Sequence, residues 1–185
     1  YILIDIDCQD IDEAHKDAKE VVKRLNALYE INPDELFIWF SGNKGFHIAM
    51  TSKLFGVLDP HEKIGDIVKG FVKHAMQGID KNIDYAIYEN HRIIRIENSK
   101  HKKSTLYKVQ LSYDELATLS MLEISRIAKE PRVFTRAIPK SKILYREKIR
   151  RDIKSPKQEP KKTYDEVGYF TPSTEGNRNN KIFKK

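Results

Sequence analysis

Two aspartates, Asp5 and Asp7, close an apolar segment at the start of the chain, Tyr1-Ile2-Leu3-Ile4-Asp5-Ile6-Asp7. This segment predicts a β-strand, in which residues two apart point to the same face. Two neighbouring carboxylates in an apolar setting repel each other unless a cation lies between them. Mg²⁺ meets that need, because it is held by one or two carboxylates together with substrate phosphates. The pair therefore indicates a metal site of the kind used in nucleotidyl transfer, with a turn or a helix cap as the structural alternative.

The segment Ser41-Gly42-Asn43-Lys44-Gly45-Phe46-His47 combines residues suited to binding phosphate. Its glycines leave backbone amides accessible to an anion. Ser41 adds a hydroxyl donor, Lys44 a mobile cation, and His47 a ring donor at the start of the next predicted strand. We interpret the segment as a phosphate-binding loop. The alternative is an ordinary loop with a solvated lysine and a structural histidine.

Asp84 and the charged segment 92–109 extend the same chemistry. Asp84 follows an apolar residue and is a candidate third metal ligand, with a turn aspartate as the alternative. Arg95 interrupts an apolar run and leads into a loop that holds Ser99, His101 and three lysines. A loop of this composition suits a triphosphate or a nucleic-acid strand, whereas a charged hairpin tip is the structural alternative.

The elements that must position these residues alternate between strands and helices. Apolar spacing predicts helices over residues 10–30, from Asp59-Pro60 to about Met76, and from a Ser112–Glu115 capping box to about Lys129. Strands are expected over residues 1–7, 36–40, 46–50, 92–96 and 106–111, with a short segment at 83–85. The order β-α-β-β-α-β-β-α favours an α/β (α+β) fold, in which a mixed, largely antiparallel sheet is flanked by helices.

Composition and missing motifs exclude several classes of protein. The 185 residues, 39% of them hydrophobic, suffice for a domain with a packed core. No apolar run approaches the ~20 residues of a membrane-spanning helix, and no signal peptide is recognisable. The single cysteine, Cys8, rules out a disulfide framework and a cysteine-based zinc site. A dinucleotide-binding glycine motif and a P-loop are both missing. We expect a cytoplasmic or nucleoid-associated protein without membrane contact.

The positive charge is concentrated towards the C-terminal end. Residues 139–185 contain 14 Lys and Arg against 6 Asp and Glu, whereas residues 1–138 contain 20 against 21. Basic clusters of this kind often contact phosphate backbones, with a solubilising tail as the alternative. We expect a core over residues 1–130 and a basic extension over 131–185, which comprises a basic helix over 141–153 and linker-like chain over 154–180. Because the chain starts inside a predicted strand without Met, we expect some core residues to lie upstream.

Taken in order, four motifs resemble those of the archaeo-eukaryotic primase superfamily: Ile-Asp-Ile-Asp, Ser-Gly-Asn-Lys-Gly-Phe-His, Ile-Asp, and Arg-Ile-Glu-Asn-Ser-Lys-His ahead of Leu-Tyr-Lys-Val. That superfamily includes the small catalytic subunit of archaeal and eukaryotic primases and the primase-polymerases of bacteria, viruses and plasmids. The resemblance covers about residues 1–111. It implies an RRM-like catalytic core and a metal-dependent DNA primase or polymerase, which makes primers or extends chains from nucleoside triphosphates.

The resemblance also implies roles for individual residues. Asp5, Asp7 and Asp84 match the superfamily's catalytic, metal-binding aspartates, which hold two Mg²⁺ or Mn²⁺ ions. The nucleotide-binding positions are matched by Ser41, Lys44, His47, Arg95, Ser99, His101 and Lys108. Asn43 departs from the paired-arginine version of the loop, and no zinc is expected because the zinc module is missing. The implied partners are a single-stranded DNA template, a primer strand and nucleoside triphosphates, with further domains or a helicase and other replication proteins around them.

Two other functions are compatible with these residues. An end-joining or gap-filling polymerase would extend primers without starting them, which a primer-free synthesis assay distinguishes. A non-catalytic module would bind nucleic acid through its basic tail, and its binding would survive loss of the aspartates. A metal-dependent nuclease would also use three aspartates, but it would have no need of the 41–47 loop.

Overall fold

The structure is a computed structural model that describes residues 1–52, 63–89, 91–134, 163–164 and 170–171. Two predictions, the helix start at Asp59-Pro60 and the helix over 141–153, lie outside these residues. The chain divides into two units, residues 1–154 and residues 155–185. The candidate site belongs to the first unit.

A four-stranded sheet forms the centre of the first unit. Its strands are β1 (Ile2–Asp7), β2 (Phe37–Phe40), β3 (Gly45–Met50) and β4 (Val109–Leu111). Their order across the sheet is β1-β3-β2-β4, and every neighbouring pair is antiparallel. Because β1 and β2 are both antiparallel to β3, they run in the same direction, and the helix α1 (Ile11–Tyr29) connects them.

The outer edge of β1 is covered by the segment that contains Asp84. Ile83 forms an antiparallel bridge with Ile6, and the Asp84 N–H donates to the carbonyl oxygen of Asp5 at 2.9 Å. A short 3₁₀ helix, Tyr85–Tyr88, follows with Asp84 as its N-cap. The segment therefore places a third carboxylate beside the strand that carries the first two.

One face of the sheet holds the hydrophobic core. Ile2, Ile4 and Ile6 are buried, whereas the side chains between them point to the opposite face. The apolar positions of α1 pack against β1 and β3, and α2 (Ile64–Ala75) packs beside α1. The aspartates of β1 therefore lie on the face away from the core.

The N-terminal elements confirm the sequence predictions. The first helix has Asp10 as its N-cap, whose carboxylate accepts the N–H groups of Asp12 and Glu13 at 2.9 and 3.2 Å. The first three predicted strands form with bounds shifted by at most one residue. The mixed α/β class with an antiparallel sheet and flanking helices is confirmed. No helix of the described residues is long and apolar enough to cross a membrane.

The single helix predicted after the last strand is two helices. α3 (Tyr113–Thr118) begins at the predicted capping box of Ser112 and Glu115. α4 (Met121–Ile127) begins at a second box of the same kind, at Ser120. A serine with an extended backbone and a side chain that accepts an amide N–H starts a new helix, so the first one ends before it.

The strand predicted over residues 92–96 is wrong. The segment pairs with no strand in the described part of the chain, and its isoleucines are exposed, Ile93 to 95%. Instead of strand pairing, two hydrogen bonds of Arg95 hold the segment in place. Its side chain donates to the Ser41 carbonyl, and its own carbonyl accepts from Lys108 Nζ. Of the strand predicted over 106–111, only β4 joins the sheet.

In the second unit the structure describes one antiparallel strand pair. It consists of β5 (Thr163–Tyr164) and β6 (Phe170–Thr171), with Thr163 opposite Thr171. The sequence predicted linker-like chain here.

Candidate functional site

A cavity of about 240 Å³ lies against the sheet face that carries Asp5. Eight of the ten predicted site residues line it: Asp5, Asp7, Asp84, Ser41, Lys44, His47, Arg95 and His101. The other two, Ser99 and Lys108, are not part of the lining. Residues separated by up to 96 positions in sequence therefore face one space.

The three carboxylates reach the cavity from two adjacent stretches of backbone. Asp5 and Asp7 project from β1, and Asp84 is tied to that strand by its N–H. Asp7 forms an ion pair with Lys44, whose Nζ lies 3.2 Å from Asp7 Oδ1. One carboxylate oxygen of Asp84 accepts the Ala86 N–H at 2.8 Å. The capping hydrogen bond to Ala86 therefore leaves the second carboxylate oxygen of Asp84 unused.

Asp5 is the most perturbed of these acids. Burial, followed by repulsion from Asp84 and then Asp7, raises its pKa from 3.8 to about 7, although Lys108 and Arg95 act in the opposite direction. Burial penalises the charged form, and neighbouring carboxylates add to that penalty. A cation in the cavity would therefore strongly favour the ionised form of Asp5.

His47 lies opposite Asp5 in the β1–β3 pairing. Its Nε2 is 3.4 Å from Asp5 Oδ1, while its Nδ1 is buried without a hydrogen-bond partner in the described part of the chain. Burial and the positive charges of Lys108 and Arg95 lower the pKa of His47 to about 3. The ring is therefore neutral at pH 7, with one donor and one acceptor nitrogen.

The loop between β2 and β3 owes its shape to two glycines. Gly42 has a φ of +80°, and a Cβ there would meet the Tyr107 backbone at 2.9 Å. Gly45 lies so close to β1 that a Cβ would be 1.9 Å from the Ile6 carbonyl oxygen. Ser41 closes the loop, because its N–H donates to the Gly45 carbonyl at 2.9 Å and its Oγ accepts the Gly45 N–H at 3.2 Å. The Ser41 hydroxyl hydrogen is not engaged by these bonds and is available to a ligand.

Arg95 and His101 line the same cavity from the segment 92–101. The Nη2 of Arg95 donates to the Ser41 carbonyl at 2.5 Å, and its Nη1 is buried without a partner among the described residues. The Nδ1 of His101 accepts the N–H groups of Lys103 and Ser104 at 3.2 and 3.3 Å. Because Nδ1 is an acceptor, the neutral His101 ring carries its proton on Nε2 and can donate it to an anion.

Ser99 and Lys108 have structural contacts outside the cavity. The Ser99 hydroxyl donates to the Ile96 carbonyl at 2.6 Å and stabilises a local turn. Lys108 is 4% exposed, and its Nζ donates to the Arg95 carbonyl at 2.8 Å. Both residues therefore support the segment that carries Arg95 and His101.

Arg92 also lines the cavity, although sequence reasoning gave it no role. Alternation along the predicted strand 92–96 does not put Arg92 and Arg95 on one face, but that strand does not form. Its Nε lies 3.6 Å from a carboxylate oxygen of Glu89. Ile93 and Ile94 line the same side. The sequence marks Arg92 only as an arginine three positions before another arginine, and the lack of strand pairing in its segment is visible only in the structure.

The acidic residues provide oxygen ligands but not a complete protein cage for a metal. Within residues 1–52, 63–89 and 91–134, no group of three or more His, Cys, Asp or Glu side chains is arranged to hold a metal ion by itself. Mg²⁺ usually needs only one or two carboxylates when substrate phosphates and water supply the remaining ligands. The donor set at Asp5, Asp7 and Asp84 is therefore of the kind that shares a hard divalent cation with a phosphorylated ligand.

Comparisons with models of protein families, with curated proteins and with solved structures found no match.

Proposed function

We propose that this chain is the catalytic core of a metal-dependent, template-directed nucleotidyltransferase, a DNA primase-polymerase of the archaeo-eukaryotic primase type. The observation that carries the proposal is the convergence of three carboxylates and five phosphate-binding side chains on one cavity. Phosphoryl-type transfer depends mainly on positioning and on stabilising the charge of the triphosphate. An acidic side for metal and a basic side for phosphate are the two parts such a site requires.

The strand topology supports an RRM-like core. β1 and β2 are parallel with β3 between them, and Ile83 pairs antiparallel with the other edge of β1. This is the split β-α-β arrangement, in which the chain segment after α2 returns beside β1. The candidate catalytic residues then lie on the open face of the sheet, and the helices cover the other.

Asp5, Asp7 and Asp84 would hold the divalent metal. The raised pKa of Asp5, caused by burial and by the two other carboxylates, supports this assignment because a cation would relieve the same repulsion. Oxygen ligands suit Mg²⁺ and Mn²⁺. When bound, two such ions activate the attacking 3′-hydroxyl and stabilise the leaving pyrophosphate.

The basic side of the cavity would bind the triphosphate. Ser41, His47 and His101 offer neutral donors, and Arg95 offers a charged one through Nη1, which has no partner among the described residues. Lys44 forms an ion pair with Asp7, which lies opposite its neighbour Gly45 in the β1–β3 pairing. In our proposal Lys44 would contact a phosphate of the bound nucleotide in place of that carboxylate.

The test is nucleotide incorporation by the protein and by its Asp5→Ala/Asp7→Ala double variant. Single-stranded DNA templates with and without a primer are supplied with ribo- or deoxynucleotides, in Mg²⁺ and in Mn²⁺. We expect incorporation by the unmodified protein and its loss in the double variant, while Glu20→Ala, an exposed carboxylate change on α1, has no effect. Incorporation that persists in the double variant would overturn the proposal.

The same assay separates the two alternatives. Synthesis that requires a primer in every condition identifies an extending, gap-filling polymerase. DNA binding without incorporation, unchanged by loss of the aspartates, identifies a non-catalytic binding module. The proposed partners are the single-stranded template, the primer and nucleoside triphosphates, in the cytoplasm or at the nucleoid.

A further inference from the structure

Arg95 is held at the cavity by contacts at both its ends. Its Nη2 donates to the Ser41 carbonyl, and its own carbonyl accepts from Lys108 Nζ at 2.8 Å. The remaining Nη1 is buried without a partner in the described part of the chain. An unsatisfied buried guanidinium N–H costs free energy that an incoming anion would recover.

Lys108 is held between Arg95 and an aromatic ring. Its Nζ lies 5.0 Å from the centroid of Trp39, within the range of a cation–π contact. Trp39 lies opposite Gln110 in the β2–β4 pairing, and Lys108 two positions earlier lies on the same face. Burial, then the charge of Arg95, lowers the pKa of Lys108 to about 8. A buried, desolvated ammonium keeps its position only while its few partners remain.

Trp39 makes a second contact with the same segment. Its Nε1 donates to the carboxylate of Glu97 at 3.1 Å. Glu97 follows Arg95 by two residues, so the segment 95–97 is attached to the sheet at two points. Both attachments involve Trp39, one directly and one through Lys108. Backbone hydrogen bonds between residues 98–99 and Lys108 hold the chain just after this segment, and within 95–97 these side-chain contacts attach it to the sheet.

We propose that Glu97, Trp39 and Lys108 form a clamp that positions Arg95 to bind an oxyanion through Nη1, the triphosphate of a nucleotide if the proposed function is correct. Trp39 and Glu97 act through Arg95 and are positioning residues. Lys108 has the same role and does not itself contact the phosphate. The inference rests on the proposed function only for the identity of the anion.

Glu97 offers a matched pair of variants. Glu97→Gln keeps an oxygen that accepts the Trp39 N–H, whereas Glu97→Leu removes it. Lys108→Met keeps the length of the side chain and removes its charge. Urea unfolding of each variant verifies that it folds, and if Lys108→Met does not, the Glu97 pair still decides.

The probe is inorganic tripolyphosphate, with binding measured by calorimetry. We expect Glu97→Leu and Lys108→Met to raise its Kd about tenfold, and Glu97→Gln to change it less than about twofold. Trp39 is the single tryptophan of the chain, so its fluorescence should change on binding in the unmodified protein. In incorporation assays, KM for the nucleotide should rise more than kcat falls, which a general loss of active protein would not produce.

Three possible results test the clamp and the proposed function separately. Equal Kd values for Glu97→Leu and Glu97→Gln would overturn the clamp while leaving the proposed function intact. A protein that does not bind tripolyphosphate at all would overturn the clamp as a device for anion binding. Clamp-dependent binding without any incorporation would support the clamp and overturn the proposed nucleotidyl transfer.

Discussion

His47 and Asp5 face each other across the β1–β3 pair, with His47 Nε2 3.4 Å from Asp5 Oδ1. Their pKa values move in opposite directions, to about 3 for His47 and about 7 for Asp5. Burial is the first cause in both cases, and it favours the neutral form of each. Asp84 and Asp7 add to the rise at Asp5, where Lys108 and Arg95 oppose it, and the same two cations add to the fall at His47. The pair therefore lies within reach of both the carboxylates and the cations of the cavity.

Asp5→Asn should stabilise the metal-free protein at pH 8. Asp5 keeps its proton up to about pH 7 in the folded protein, whereas in the unfolded chain it loses this proton near pH 3.8. The free energy of unfolding therefore falls as the pH rises from 3.8 to about 7, and this loss is complete above pH 7. We expect the variant to unfold with a free energy on the order of 4 kcal/mol higher at pH 8, measured in urea with a chelator, and little changed at pH 4. A variant less stable than the original protein at pH 8 would contradict the assignment.

His47→Gln should make stability less sensitive to acid. The unfolded chain binds a proton at this histidine below pH 6.5, whereas the folded protein does so only near pH 3. The original protein therefore loses stability as pH falls from 6.5 towards 3. Between pH 6.5 and 4 the free energy of unfolding of the variant should fall less than that of the original protein, by on the order of 3 kcal/mol. Nuclear magnetic resonance offers a direct check, because the ring signals that disappear in the variant should not titrate between pH 5 and 8.

Two glycine-to-alanine changes should have opposite effects. Gly45→Ala would place a methyl group 1.9 Å from the Ile6 carbonyl oxygen and separate β1 from β3, so we expect a loss of more than about 3 kcal/mol or failure to fold. Gly70→Ala, in the interior of α2, meets nothing within 4 Å and should stabilise by about 0.5–1 kcal/mol. Thermal and urea unfolding measure both. Similar losses for the two variants would show that the close approach at β1 is not the cause.

Lys102→Ala/Lys103→Ala should weaken binding of single-stranded DNA without changing its sequence preference. Both lysines are exposed in the loop beside His101. Losing two phosphate contacts should reduce the slope of log K against log salt concentration by about 1.4. Fluorescence anisotropy over a salt series measures this slope. The matched control is Lys16→Ala/Lys23→Ala on the exposed side of α1, and an equal change there would indicate attraction to net charge alone.

The sequence predicts features that depend on neighbouring residues. Alternation along the first strand places Asp5 and Asp7 on one face, and the caps at Asp10 and Ser112 are set by side chains a few positions away. The order of motifs led to eight residues that line the cavity. These features need no knowledge of distant contacts.

Features that depend on distant partners were not predictable in the same way. A strand over 92–96 needs a free sheet edge, which the apolar residues of that segment cannot reveal. Ser99 is a local exception, because its hydroxyl donates to the Ile96 carbonyl three residues away in a turn that the predicted strand over 92–96 did not foresee. The contact of Trp39 with Lys108 joins residues 69 positions apart, so no local spacing identifies it. The position of Arg92 at the cavity was not predictable for the same reason, because the direction of its side chain depends on the tertiary contacts of its segment.

The hydrogen bonds between residues 82–84 and β1 have a dynamic consequence. The Asp7 N–H donates to the Asn82 carbonyl and the Asp84 N–H to the Asp5 carbonyl, both at 2.9 Å. The acidic side of the cavity therefore moves as one rigid body with the central sheet. Of the phosphate-binding side chains, His47 lies on β3, whereas His101 lies at a loop, and loops open at lower cost than strands. Closure on a substrate would thus move the loop beside His101 towards stationary carboxylates, and amide hydrogen exchange would be slow over β1 and residues 82–84 and faster over residues 102–104.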